Sequence, residues 1–254
     1  MTVIAIVSAA GGAGRTTVCS ALAVLLARRA RQVFALELDA QNILGAYLGL
    51  DSLMPRGLVH ALLDSRQAWH EESFRSVDGV MFVPYGALDA THIGASEAAL
   101  AALPDWLASA LADIDVQPGG AVLLDTARYP SQQAEQAMRA ADLVLCVTTP
   151  DPAGCVALAA ALHGMRRPGA VFYIVVNQID PAHAMHRDAL ALLRARVGAA
   201  AILPQRLHRD AALPDSFARG AWVFDEAPHA QISHDLHGLA HWLDGWLSGR
   251  GGAG

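Results

Sequence analysis

The chain has 254 residues, a length that suits one α/β domain, and its 54% hydrophobic content is enough for a large buried core. A net charge of −6, with eighteen arginines and no lysine, excludes a general electrostatic attraction to DNA or anionic lipid. Cys19, Cys146 and Cys155 lack metal-ligand spacing and read as reduced thiols, and no apolar run reaches the ~18–20 residues that span a bilayer.

In chain order, Val3–Val7 is a run of small and β-branched residues that predicts a strand. It opens directly into Ser8-Ala9-Ala10-Gly11-Gly12-Ala13-Gly14, and a helix is predicted from Thr16 to Arg31, with arginines at its C-terminal turn. Met1 to Ala13 lacks the basic start of a secretory signal, which points to a cytoplasmic protein. Further strands are predicted at Val33–Leu38, Val80–Pro84, Ala121–Asp125, Leu143–Thr148, Val171–Asn177 and Ala200–Leu203. Helices are predicted at Ala95–Asp113, Ser131–Ala141, Gly154–Met165, His183–Val197 and Ile232–Leu247, with the tail Ser248–Gly254 disordered.

Continuous apolar strands alternating with helices predict an α/β fold: a mostly parallel, doubly wound sheet flanked by helices in a single domain over residues 1–247. Ligands in such folds sit beyond the carboxyl ends of the strands. The polar candidates all fall there: the loop after Val7, Asp39 after Leu38, Asp125 after Leu124 and Asn177 after Val176.

The stretch Ala9-Ala10-Gly11-Gly12-Ala13-Gly14-Arg15-Thr16 stands where a phosphate-binding GxxxxGK[ST] loop would, with Ala9 for the first glycine and Arg15 for the lysine. Glycines let the backbone fold into a nest whose N–H groups face a phosphate, and the helix that follows adds its positive end. The Thr16 hydroxyl is then placed to ligate Mg²⁺. Gly11, Gly12, Ala13, Gly14, Arg15, Thr16 and Thr17 are the expected nucleotide-binding residues of this loop.

These residues, with the doubled glycine and Thr16-Thr17, resemble the deviant Walker A loop of the ParA/MinD family of P-loop NTPases, which implies a SIMIBI-type fold and binding of ATP with Mg²⁺. Glu37-Leu38-Asp39-Ala40-Gln41-Asn42 resembles the family's switch I, and Leu123-Leu124-Asp125-Thr126 its Walker B and switch II. Val175-Val176-Asn177-Gln178 is similar to the strand whose Asn reads adenine, and Ile202-Leu203-Pro204 to the loop that closes over the base. The resemblance implies that Asp39 orients the attacking water, that Asp125 holds the metal through water, and that Asn177 and Pro204 meet the base. Within the family, Asp39 to Asp51, Gly57 to Asp64, Val83-Pro84-Tyr85-Gly86 and Leu207-His208-Arg209-Asp210 resemble the BcsQ branch of cellulose-biosynthesis accessory proteins. That branch implies a homodimer with ATP at its interface, small BcsR/BcsE-like partners, and indirect recruitment to an inner-membrane cellulose synthase without nucleic acid. The alternatives are a ParA-type DNA-partitioning or a MinD-like membrane-cycling ATPase.

Two positions depart from the family. Its signature lysine, which reaches the partner's phosphates across the dimer, falls at Ala10, and the P-loop lysine falls at Arg15. A cation supplied in trans is worth roughly 10³–10⁵ in phosphoryl-transfer rate, so slow or absent hydrolysis is expected. His234, His237 and His241 could share a helix face and hold a metal, but a mildly polar face is the commoner meaning of that spacing. Trp242, Leu243, Trp246 and Leu247 form an apolar edge without the flanking basic residues of a membrane-surface helix, so core packing or a partner interface is expected.

Overall fold

Eight strands pair into one sheet in a computed structural model that describes residues 1–64 and 68–251. They are β1 (Thr2–Val7), β2 (Val33–Leu38), β3 (Phe74–Arg75), β4 (Met81–Val83), β5 (Ala121–Thr126), β6 (Leu143–Thr148), β7 (Val171–Ile179) and β8 (Ile202–His208). Their order is β3-β4-β2-β5-β1-β6-β7-β8, parallel except for the β3–β4 pair. The short β3 was not expected, because two residues make no periodic run.

The helices are α1 (Arg15–Ala27), α2 (Leu44–Tyr47), α3 (Leu58–Leu63), α4 (Ala90–Ala102), α5 (Trp106–Ala112), α6 (Gln132–Ala140), α7 (Pro152–Met165), α8 (Ala184–Val197), α9 (Ala212–Ala218), α10 (Val223–Glu226) and α11 (Gln231–Gly251). One expected helix, Ala95–Asp113, is two. Pro104 cannot donate to a helical carbonyl and disfavours helical geometry at Leu103, so the chain breaks between α4 and α5. Gln136 of α6 bridges the break: its Oε1 accepts from Leu107 N at 3.0 Å, and its Nε2 donates to the carbonyls of Leu100 and Leu103, each at 2.8 Å. Replacing this buried amide by leucine should cost about 2 kcal/mol, since Leu107 N and the Leu100 carbonyl lose this partner and the Leu103 carbonyl keeps only Trp106 N. Thermal denaturation of Gln136→Leu is expected to show a midpoint lowered by about 4–8 °C.

α1 stops at Ala27, earlier than the expected Arg31, because Ala30 adopts a left-handed φ of 61°. Its arginines serve tertiary contacts instead: Arg28 forks onto Asp225 at 2.7 and 2.8 Å, and Arg31 pairs with Asp244. β8 runs on to His208, past the expected end at Leu203. Pro204 is tolerated inside it because β8 is the outermost strand. α11 continues to Gly251, beyond the expected end at Leu247, and residues 252–254 of the expected tail lie outside the described residues.

Apolar cores form on both faces of the sheet. On one, α1 and α11 cover Ile4, Ile6, Leu123 and Leu145, and Ile232, Leu236, Leu239, Leu243 and Leu247 of α11 are all buried there. Trp242 stands edge-on to Tyr173, with ring centroids 5.3 Å apart. The apolar edge of α11 is therefore core packing. On the other face, α5, α6, α7 and α8 cover Val3, Ala5, Val7 and Leu36. With both faces sealed, the polar strand ends are left along the sheet's carboxyl edge.

Candidate functional site

The loop between β1 and α1 turns through two left-handed glycines, Gly12 (φ 69°) and Gly14 (φ 91°). Gly14 caps α1, whose first-turn N–H groups have no intrahelical acceptor. A Cβ built on Gly11 or Gly12 would meet nothing within 4 Å, so the loop has an open face. A Cβ on Gly14 would lie 2.4 Å from Asn177 Nδ2, because the end of β7 braces the loop there. Asn177 Nδ2 donates to the Ala13 carbonyl at 2.7 Å, and Gln178 Nε2 to that of Gly12 at 2.8 Å. The residue expected to read a base thus packs against the phosphate loop in this structure. Gln178, with a left-handed φ of 58°, is a second brace that sequence reading did not single out.

Arg15 is buried, and its guanidinium draws together the ends of β1, β5 and β2. Nε donates to the Thr126 carbonyl at 2.7 Å, Nη1 to Ser8 Oγ, and Nη2 to Asp39 Oδ2 at 3.0 Å. Asp39 also accepts from Gln41 N at 3.1 Å. Thr17 meets the other end of the same segment, its hydroxyl 3.0 Å from Tyr47 Oη, and Tyr47 stacks on Phe217 with centroids 4.1 Å apart. The two residues flanking Thr16 thus each hold one end of the segment from Asp39 to Tyr47.

Asp125, at the end of β5, is fully buried. Burial pushes its carboxyl up to about 7, with the charge of Asp39 adding to the shift and Thr16 and Arg15 opposing it. The Thr16 hydroxyl is near enough to favour the charged carboxylate, while neither carboxylate oxygen has a hydrogen-bond partner among the described residues. Two orphaned, buried carboxylate oxygens beside a threonine on a phosphate-type loop fit a magnesium ion or its water shell.

Glu37 was legible only as part of the switch-like segment. It is the penultimate residue of an otherwise apolar strand, and that placement is a signal for a buried acid with backbone partners. Its Oε1 accepts from Ile43 N at 2.6 Å and Leu44 N at 2.9 Å, and its Oε2 from Tyr85 N at 3.3 Å. Asn42, in left-handed conformation, donates to the Met54 carbonyl at 2.8 Å and accepts from Gly86 N at 3.1 Å. Pro204 lies on β8, beside an open groove shared with Arg187, Arg206 and His234, apart from the loop residues. His237 stands against Phe224, and among the described residues no three His, Cys, Asp or Glu side chains are grouped to hold a metal.

Solved structures share this architecture. The cell division ATPase MinD of Pyrococcus furiosus superposes with a TM-score of 0.77 at 23% identity, over 96% of this chain and 99% of that one. MinD of Pyrococcus horikoshii, solved in complex with Mg-ADP, gives 0.76 at 21% over 96% of each chain. A McdA variant of Cyanothece, solved in complex with ATP, gives 0.77 at 17% over 96% of each. Fold and loop together define a P-loop NTPase fold of the MinD/ParA class. A curated relative, the cellulose biosynthesis protein BcsQ of Escherichia coli K12, is 25% identical over 244 residues, which is 95% of this chain and 94% of that protein. The family profile described as "Cellulose biosynthesis protein BcsQ" matches residues 1–243, and the chain belongs to that family.

Proposed function

We propose that this protein is an ATP-binding, dimeric scaffold that supports assembly of a bacterial cellulose synthase, and that it turns ATP over slowly or not at all. The observation that carries the nucleotide reading is the pairing of an open, glycine-built loop at the N-terminus of α1 with the orphaned carboxylate of Asp125. Backbone N–H groups of Gly11 to Gly14 and the start of α1 would hold the phosphates, with Thr16 and, through water, Asp125 holding Mg²⁺. When bound, the ion would supply charge neutralisation for the β- and γ-phosphates. Asn177 and Pro204 are the candidates for the base, and Asp39 for orienting a water.

Membership of the BcsQ family and the fold likeness to MinD support the scaffold reading over a metabolic enzyme. No helix among the described residues is long and apolar enough to cross a membrane. Recruitment to an inner-membrane synthase from the cytoplasm would then run through protein partners of the BcsR/BcsE kind, with a homodimer closed around ATP.

The test is equilibrium binding of a fluorescent ATP analogue with and without Mg²⁺, alongside steady-state phosphate release and cellulose output of a deletion strain. Micromolar binding that weakens at least about tenfold in Thr16→Ala, turnover well below one per second, and loss of cellulose are expected. Absence of nucleotide binding would sink the reading, and turnover near one per second would sink its slow-hydrolysis part.

A further inference from the structure

Each nitrogen of the Arg15 guanidinium has a protein partner: Thr126 O at Nε, Ser8 Oγ and, at 3.5 Å, Ala10 O at Nη1, and Asp39 Oδ2 at Nη2. The ion pair with Asp39 is buried, with 8% and 10% of the two side chains exposed. Asp39 is held on its other side as well, since Oδ1 accepts Gln41 N and Oδ2 lies 3.5 Å from Gln41 Nε2. A carboxylate offers about four lone-pair directions, and three of them are engaged here. Separating a buried pair leaves an uncompensated charge, so the arrangement resists opening.

Lysine could not reproduce this. Its single nitrogen is a point donor, whereas the partners of Arg15 are spread across the rigid fork of the guanidinium and come from three strand ends. A lysine-free composition alone would put an arginine in the loop, but it would not require every nitrogen to be placed against a partner.

We propose that Arg15 is a positioning residue that clasps Asp39 and keeps it from a water, so that nucleotide is held by the loop backbone and left unsplit. The proposal rests on the nucleotide reading above. Arg15 in this role acts on the orientation of Asp39, and the phosphates are left to the N–H groups of the nest and of α1. Slow turnover then has a cause inside one protomer, independent of the alanine at position 10.

The experiment compares the full-length wild type with Arg15→Lys and Ser8→Ala. It reads the Kd of the ATP analogue with Mg²⁺, kcat for phosphate release, and hydrogen exchange at the amides of Gln41 and Asn42, which bond to Asp39. Arg15→Lys should raise kcat by about tenfold or more while Kd moves by only a few-fold, and should speed exchange at both amides. Ser8→Ala, which removes one acceptor, should shift kcat and exchange in the same direction by about threefold, and it carries the test if Arg15→Lys does not fold. Loss of binding and turnover together in Arg15→Lys overturns the proposal, because Arg15 is then an ordinary phosphate ligand. Unchanged exchange in both variants overturns it too. If the wild type binds no nucleotide, the reading beneath the proposal falls, and exchange alone then decides whether the clasp exists.

Discussion

Gly14→Ala is expected to lower affinity for ATP by about 100-fold, the largest functional effect of any single methyl group in the loop. Two costs combine. A left-handed φ of 91° is strained by roughly 1–3 kcal/mol for a residue with a side chain. The new Cβ would also stand 2.4 Å from Asn177 Nδ2, displacing the amide that braces the Ala13 carbonyl. Each 1.4 kcal/mol is tenfold in a binding constant, so about 2.7 kcal/mol gives the predicted loss. Gly11→Ala is the internal control: its Cβ meets nothing within 4 Å and its backbone is not left-handed. Titration of both variants with the fluorescent analogue should separate them by more than tenfold. Equal, small effects would mean that loop shape does not govern binding.

Glu37→Ala should produce the largest loss of stability, about 3–5 kcal/mol, because three backbone N–H groups lose one buried acceptor. Two of these groups start α2 and the third begins the turn after β4, so the whole segment from Asp39 to Tyr47 should loosen. A melting midpoint lowered by about 10 °C in calorimetry is the expected reading. The same residue makes stability fall with pH. Burial, the largest cause, pushes the Glu37 carboxyl from its ordinary value up to about 8, with the charge of Asp125 adding and the three N–H bonds opposing. The folded chain therefore holds this proton through a range where the unfolded chain has released it. The contribution is full below the ordinary carboxyl range and is lost as pH rises through about 8. Asp125, raised to about 7 by burial, slopes the same way. In metal-free buffer the midpoint should fall between about pH 5 and pH 8.5. Glu37→Gln, a neutral match for the protonated acid, should flatten part of that slope. A wild-type midpoint that rises over the same range would contradict the assignment.

The parts of the fold that sequence revealed are those decided by local chemistry. Val33–Leu38 and Leu143–Thr148 begin and end where expected, because a continuous apolar run has to be buried on both faces of a parallel sheet. The break at Pro104 was also local, but the alanine-rich periodicity on either side masked it. What was not legible depends on distant segments. Gly57–Asp64 and Val83–Gly86 stood out only as separate stretches of family likeness. In space, Leu58 N donates to the Pro84 carbonyl at 2.9 Å and Val59 N to that of Tyr85 at 3.0 Å. A Cβ on Gly57 would come within 2.2 Å of the Pro84 oxygen, which accounts for a glycine facing that strand end.

The site divides in the same way. The loop residues, Asp39 and Asp125 could be placed from spacing, since each ends a strand. The direction in which Arg15 points could not, because three acceptors from three other strand ends set it. Nor could the double use of Asn177 and Gln178 as braces, which requires the left-handed turn at Gln178.

The burial of α11 has a consequence for how this fold holds together. In a protein whose last helix is an appendage, that helix can be cut off, grafted elsewhere or let go into a lipid surface while the rest stays folded. Here Leu236, Leu239, Leu243 and Leu247 are as deeply enclosed as the first strand, and Asp244 is fastened to Arg31. α11 is a keystone. Removing it would open the core that α11 shares with α1 on one face of the sheet. A partner that binds at α11 must therefore meet its polar side, because its apolar side is already in use.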